Sequence, residues 1–182
     1  AGGLLDGGVL PVLKHMPGYG LGAVDSHETL PRVSAPLEEV RRVDFAAFRP
    51  LAHLPLGMTA HIVFEAVGDD RPATFSDRVI DMIRDEIGFR GALMTDDLSM
   101  GALPGPVGTR AARARAAGCD LVLHCNGDRP EMEAVVAEAG VLDGPGGARA
   151  EAALAARTEP APLDIAAAEA DLADLLDGEV HG

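Results

Sequence analysis

The chain has 182 residues, 47% of them apolar, which is enough for one domain with a buried core. Fifteen basic residues against 29 acidic ones give a formal net charge of −14, which argues against nucleic acid and anionic membrane lipid as partners. No apolar run reaches the length of a membrane span, and Cys119 and Cys125 are too few for a disulfide framework, so they read as reduced thiols of a cytoplasmic protein. The chain opens on Ala1-Gly2-Gly3, without an initiator Met, so any signal peptide would lie upstream.

Val9 to Leu13 is the first apolar run of strand length. A long Pro/Gly-bearing loop follows, from Pro17 to Pro36. Pro36 to Ala52 then carries Leu37, Val40, Phe45, Phe48 and Leu51 at roughly helical spacing, with Glu38 and Glu39 in the first turn. Leu56 to Phe64 is the second strand. Ser76 is suited to cap a helix bearing Val79, Ile80, Ile83 and Ile87, with Gly88 to end it. Ala92 to Met94 is the third strand, and Thr109 to Gly118 an Ala/Arg-rich helix. Leu121 to Leu123 is the fourth strand, and Arg129 to Ala139 the last helix of the series.

Near-continuous apolar strands alternating with helices predict an α/β fold, a parallel sheet with right-handed crossovers. Residues 1–140 hold the four βα units. Residues 141–182 form an Ala- and acid-rich helical extension, bounded by Gly144-Pro145-Gly146-Gly147 and Pro160-Ala161-Pro162 as breakers. From Glu159 on there are seven acidic residues and no Lys or Arg, which predicts a solvated tail after a packed helix.

Three clusters follow predicted strands. Lys14-His15-Met16-Pro17-Gly18-Tyr19-Gly20 places a lysine, the only one beside fourteen arginines, and a histidine where a strand breaks. A strand-end turn with a solvated lysine is the plain alternative. Asp25-Ser26-His27 has the spacing that lets a carboxylate fix an imidazole tautomer and raise its basicity, the construction of a general acid/base. An Asx turn beside an exposed histidine would look the same. Met94-Thr95-Asp96-Asp97-Leu98-Ser99-Met100 ends a buried strand in two carboxylates, which are expensive there unless used or hydrogen-bonded. Their alternation sends one toward the sheet interior and the other toward the surrounding loops, where Asp97 can cap the turn after the strand. No metal-ligand spacing is present, and neither a metal nor an organic cofactor is expected.

In this order the three clusters resemble bacterial β-N-acetylhexosaminidases of glycoside hydrolase family 3, whose patterns are K-H-F-P-G-H-G, D-S-H and S-D-D-L-S-M. The chain departs from the family at Met16 in place of Phe, at Tyr19 in place of His, and at Thr59, where Pro commonly precedes Ala-His. The stretches F-R-G-A-L-M-T-D-D-L-S-M and A-G-C-D-L-V-L-H-C-N fit as well, and the resemblance runs from about Leu10 to Asn126. It implies the C-terminal half of a (β/α)8 TIM-type barrel, with the family's upstream strands and sugar contacts lying outside this chain. It implies Asp96 as nucleophile, His27 with Asp25 as general acid/base, and Lys14, His15 and His61 as sugar-binding residues. The implied substrate is an amino-sugar saccharide from cell-wall recycling. Another barrel glycosidase of different sugar preference, and a non-catalytic sugar-binding half-barrel, remain as alternatives. Retention of both reacting groups speaks against the second.

Overall fold

The structure, a computed structural model, describes residues 1–22, 29–160 and 162–177. Helix α1 (Gly2–Asp6) leads into strand β1 (Val12–Met16), and β2 (Arg32–Val33) follows. Residues 37–51 make one continuous helical stretch, α2, in which α-turns are interrupted by a π-turn at Arg41–Phe45 and closed by a 3-10 turn at Arg49–Leu51. Strands β3 (Leu56–Thr59) and β4 (Val63–Phe64) precede α3, residues 77–87. Then come β5 (Ala92–Asp97), α4 (Val107–Ala117), β6 (Leu121–Leu123), α5 (Arg129–Ala139), α6 (Gly144–Ala155) and α7 (Ile165–Asp177).

The main sheet has the order β1-β3-β5-β6, and every pairing is parallel. Each strand lies beside the one before it, with a helical crossover between. A doubly wound sheet reverses its strand order at a switch point, whereas an unreversed run curls toward closure as a barrel. The chain is therefore a four-strand portion of a (β/α)8 barrel. The short pair β2 and β4, also parallel, sits apart from it.

Local chemistry explains the element ends. Ser76 accepts the N–H of Val79 at the start of α3, and Gly88 closes that helix in the left-handed region at φ 83°. Asp128 accepts the N–H of Glu131 at the start of α5. Some boundaries differ from the sequence expectation. β1 begins at Val12 rather than Val9, because the Val9 N–H turns back to the Leu4 carbonyl and Pro11 has no N–H to give a ladder. The run from Leu56 to Phe64 breaks in two. After Thr59 the chain leaves the main sheet, and Val63 and Phe64 pair with β2. α4 starts at Val107, directly after Pro106, and not at Thr109. Gly144 to Gly147, expected as a breaker, forms the first turn of α6, where Pro145 lacks only an N–H that would be unpaired anyway.

The core lies between the sheet and helices α2, α3 and α4. Phe45, Phe64, Phe75 and Phe89 are each 2% exposed or less, and Leu13, Leu93, Ile83 and Ala114 pack among them. Burying each such phenylalanine contributes about 1.5–3 kcal/mol, so these few aromatics dominate the packing. The other face of the sheet is less covered: Val12, Leu56, Met94 and Leu121 are exposed or half-exposed. In the C-terminal extension Ala153 of α6 is buried, whereas Leu172, Leu175 and Leu176 of α7 are exposed.

Candidate active site

The C-terminal ends of β1, β3 and β5 converge. Lys14 and His15 lie on β1, followed by the buried residues Met16, Pro17 and Gly18, and the Lys14–His15 and Met16–Pro17 peptides are cis. Both Lys14 and His15 line a cavity of about 350 Å3 together with Tyr19, Asp44 and Phe48. Asp44 comes from the π-turn of α2, where sequence patterning showed no sign of a role. Its Oδ1 accepts the Gly20 N–H at 2.8 Å, and a Cβ on Gly18, which sits at φ 142°, would collide with its carboxylate. Burial raises the Asp44 carboxyl pKa, against the lowering effect of the Gly20 and Leu21 N–H groups. Asp44 thus holds the Pro/Gly turn in place.

The two carboxylates of β5 part as alternation requires. Asp96 shares the face of Met94, and its Oδ2 stands 3.5 Å from His15 Nε2. Its Oδ1 accepts the N–H of Asp97 at 2.9 Å. Asp97 turns the other way and is consumed locally. It accepts the Ser99 N–H at 2.9 Å, the Ser99 hydroxyl at 2.5 Å and the Cys125 N–H at 3.1 Å. Burial opposes its charge, but these hydrogen bonds outweigh burial and hold its pKa below the usual carboxylate value. Asp97 is a turn cap that ties the end of β5 to the end of β6.

His61 lies between β3 and β4. It is fully buried, and both ring nitrogens are engaged: Nδ1 with the Thr74 hydroxyl at 2.7 Å and Nε2 with the Asp97 carbonyl at 3.0 Å. Among the described residues its ring turns no free nitrogen to the cavity beside Lys14 and His15, so the expected direct sugar contact by His61 is not what this geometry displays. Burial lowers its pKa below the usual imidazole value. Its backbone N–H donates to the Tyr19 hydroxyl at 2.8 Å, and the Tyr19 ring meets His15 edge-on at 5.6 Å. Asp25 and His27 lie outside the described residues. Among the described residues no group of three or more His, Cys, Asp or Glu side chains is arranged to hold a metal ion. None of the described helices is long and apolar enough to cross a membrane.

Parallel strands in unreversed order, with acids and bases gathered at their C-terminal ends, define the class: the barrel in which chemistry is built on that face. Comparison with known proteins makes the assignment particular. Residues 1–145 match the glycosyl hydrolase family 3 N terminal domain, and the chain belongs to that family. It is 45% identical over 129 residues to a beta-hexosaminidase of Alkalilimnicola ehrlichii, covering 68% of this chain and 37% of that protein. It is 40% identical to a beta-hexosaminidase of Pseudomonas aeruginosa, covering 74% of this chain and 41% of that protein. The chain therefore spans about two fifths of the length of these relatives. Among solved structures it is similar to a family 3 beta-N-acetylglucosaminidase from Paenibacillus sp., with a TM-score of 0.77 and 31% identity, over 90% of this chain and 35% of that one. It is also similar to NagZ from Neisseria gonorrhoeae, solved in complex with N-trifluoroacetyl-D-glucosamine, with a TM-score of 0.65 and 33% identity, over 77% of this chain and 41% of that one.

Proposed function

We propose that the protein is a retaining β-N-acetylhexosaminidase that removes terminal β-linked N-acetylglucosamine from peptidoglycan-derived saccharides during cell-wall recycling in the cytoplasm. The observation that carries the reading is Asp96: a strand-end carboxylate on the interior face of a barrel strand, 17% exposed at its side chain, within reach of His15. Unlike Asp97, it is not consumed by a turn. The beta-hexosaminidase relatives and the sugar analogue bound by the Neisseria gonorrhoeae protein favour an amino sugar as substrate.

In this reading Asp96 attacks the anomeric carbon as the glycosidic C–O bond breaks, and His27 gives its proton to the departing oxygen. His27, steadied by Asp25, then takes a proton from water. The hydroxide attacks the same carbon, and the Asp96 carboxylate leaves. Lys14 and His15 hold the sugar hydroxyls, and Asp44 keeps their loop in register. His61 supports this ensemble without touching the sugar. No metal or organic cofactor takes part. Residues 1–140 serve as the second half of the catalytic barrel and 141–182 as an extension outside it. Both cysteines are free thiols, which suits the proposed compartment.

The test is to give the full-length protein an aryl β-N-acetylglucosaminide, the matching aryl β-glucoside, and a peptidoglycan disaccharide fragment. Release of N-acetylglucosamine from the first and third, with the second poorly cleaved, is the expected result. Preference for the glucoside, or sugar binding without cleavage, would overturn the proposal.

A further inference from the structure

We infer that His61 is a positioning residue for the proposed nucleophile, acting through the backbone of Asp97; the inference rests on the reading of Asp96 as nucleophile. A carbonyl oxygen only accepts, so the 3.0 Å contact between His61 Nε2 and the Asp97 carbonyl requires the proton on Nε2. In the neutral ring, Nδ1 is then the acceptor for the Thr74 hydroxyl at 2.7 Å. The Thr74 oxygen also lies 3.2 Å from the Ala60 carbonyl and 2.9 Å from the Thr59 hydroxyl; with its single proton given to the nearer His61 Nδ1, it accepts from Thr59. Tautomer and ring plane are thereby fixed from the β3 side.

The fixed ring grips residue 97 at one point, and the neighbouring backbone is held at another. The Leu98 N–H donates to the Leu123 carbonyl at 2.8 Å, anchoring the end of β5 to β6. Both holds act on the peptide that joins Asp97 to Leu98, and immediately before it the Asp97 N–H points back to Asp96 Oδ1 at 2.9 Å. The carboxylate proposed to attack the sugar is therefore aimed by an N–H whose own residue is clamped by His61. The same histidine donates its backbone N–H to Tyr19, beside His15, so one residue fixes the β5 carboxylate relative to the end of β1. Such a residue changes the rate of the chemical step while leaving ground-state sugar contacts in place.

The experiment compares two amides of different reach in the full-length protein. His61→Asn keeps a polar group near Nδ1 for Thr74 but falls short of the Asp97 carbonyl, whereas His61→Gln extends its N–H to the Nε2 position. With an aryl β-N-acetylglucosaminide, His61→Asn is expected to lower kcat by between about tenfold and a hundredfold, the scale of a small misplacement of a reacting group, with KM nearly unchanged. His61→Gln should recover most of that loss. Thr74→Val, which removes the partner of Nδ1, should lower kcat several-fold and carries the test if His61→Asn fails to fold. Wild-type kcat in His61→Asn or in Thr74→Val, equal losses in the two amides, or a loss confined to KM would overturn the inference alone. A wild-type protein without turnover overturns the glycosidase reading and the inference with it.

Discussion

At the N-terminal ends of β5 and β6, Asp120 is 4% exposed and is surrounded by donors. Arg84 Nη2, the Leu93 N–H and Arg149 Nε each lie 2.9 Å from its Oδ2, and Arg149 Nη2 lies 2.5 Å from its Oδ1. At the opposite end of β5 the Asp96 side chain is 17% exposed, and among the described residues His15 Nε2 lies 3.5 Å away and the Asp97 N–H donates to it. Burial raises the cost of charge on Asp120, but the Arg149 hydrogen bond, the Leu93 N–H and the Arg84 charge together hold its pKa below the usual value. Arg84 also donates to the Phe89 and Gly91 carbonyls, and Arg115 to those of Cys119 and Asp120, so the loops at this end are knitted to the sheet. The wider cleft there, about 640 Å3, is lined by His53, Arg90, Arg149 and several alanines, with no carboxylate among the described lining residues. One end of the sheet uses a carboxylate to hold the fold, and the other carries the one proposed for chemistry, the division expected of barrel proteins.

That contrast breaks first if Asp96 can be removed without penalty to turnover. Asp96→Ala in the full-length protein is expected to reduce kcat on the order of a thousandfold or more, as loss of a covalent nucleophile does, while leaving the melting temperature close to wild type. Added azide should restore activity and yield a glycosyl azide of inverted configuration. If Asp97→Ala is the deader variant and the one rescued, the two carboxylates have been assigned the wrong way round.

His27→Ala sharpens the same side of the comparison. Loss of a general acid is worth roughly a hundredfold to ten-thousandfold, and it should fall mainly on substrates with poor leaving groups. Glycosylation by a nitrophenyl glycoside should survive while a disaccharide is barely cleaved. Equal losses on both would reduce His27 to a binding residue.

At the structural end, Asp120→Ala should destabilise the fold by about 3 kcal/mol, the lower part of the range for breaking a buried pair, because Arg149 retains solvent. Its side chain is 31% exposed against 14% for Arg84, which is left as the uncompensated charge. Urea denaturation measures the loss, and kcat/KM per folded molecule should stay near wild type. A collapse of activity in the folded fraction would show that the two ends are not separable.

The pH dependence of stability draws on both ends of the sheet. His61 has its folded pKa below the unfolded value of 6.5, so below 6.5 the unfolded state binds the additional proton. Its contribution is present above pH 6.5 and is lost as pH falls through the folded pKa. Asp97 and Asp120, both depressed from 3.8, hold their contributions until pH falls below 3.8. Asp44 is raised and works in the opposite sense, its contribution shrinking as pH rises above 3.8. Denaturation midpoints should therefore begin to decline near pH 6.5, and His61→Gln should flatten that first decline while leaving the acid limb intact. The smallest effect expected is that of Ser99→Ala, which takes the hydroxyl from Asp97 and should cost about 1 kcal/mol, read as a modest drop in melting temperature.

Much of the fold was legible because periodicity and punctuation are local. The helix over residues 77–87, its Ser76 cap and its Gly88 stop are written within thirteen residues. The split of the Leu56 to Phe64 run was not legible, since a continuous apolar run gives no sign of where pairing passes from β1 to β2. At the site, Lys14, His15 and Asp96 announced themselves as polar residues ending apolar strands. Asp44 and Thr74 did not, because nothing in a helical or loop sequence marks a polar side chain that reaches 24 residues back to Gly20 or 13 residues back to His61.

The sequence by itself determined the alternation of strands and helices, the family, and which residue types stand at the strand ends, for these depend on short-range pattern. Only the tertiary structure gave Asp97 its partners at Ser99 and Cys125, buried His61 between Thr74 and the Asp97 carbonyl, and made Asp120 a brace. Each of those outcomes depends on what lies across the sheet. A carboxylate or imidazole has the same local spelling whether its neighbours in space are two guanidinium groups, a threonine hydroxyl or an open cavity, and those neighbours decide whether it is spent on stability or left for chemistry.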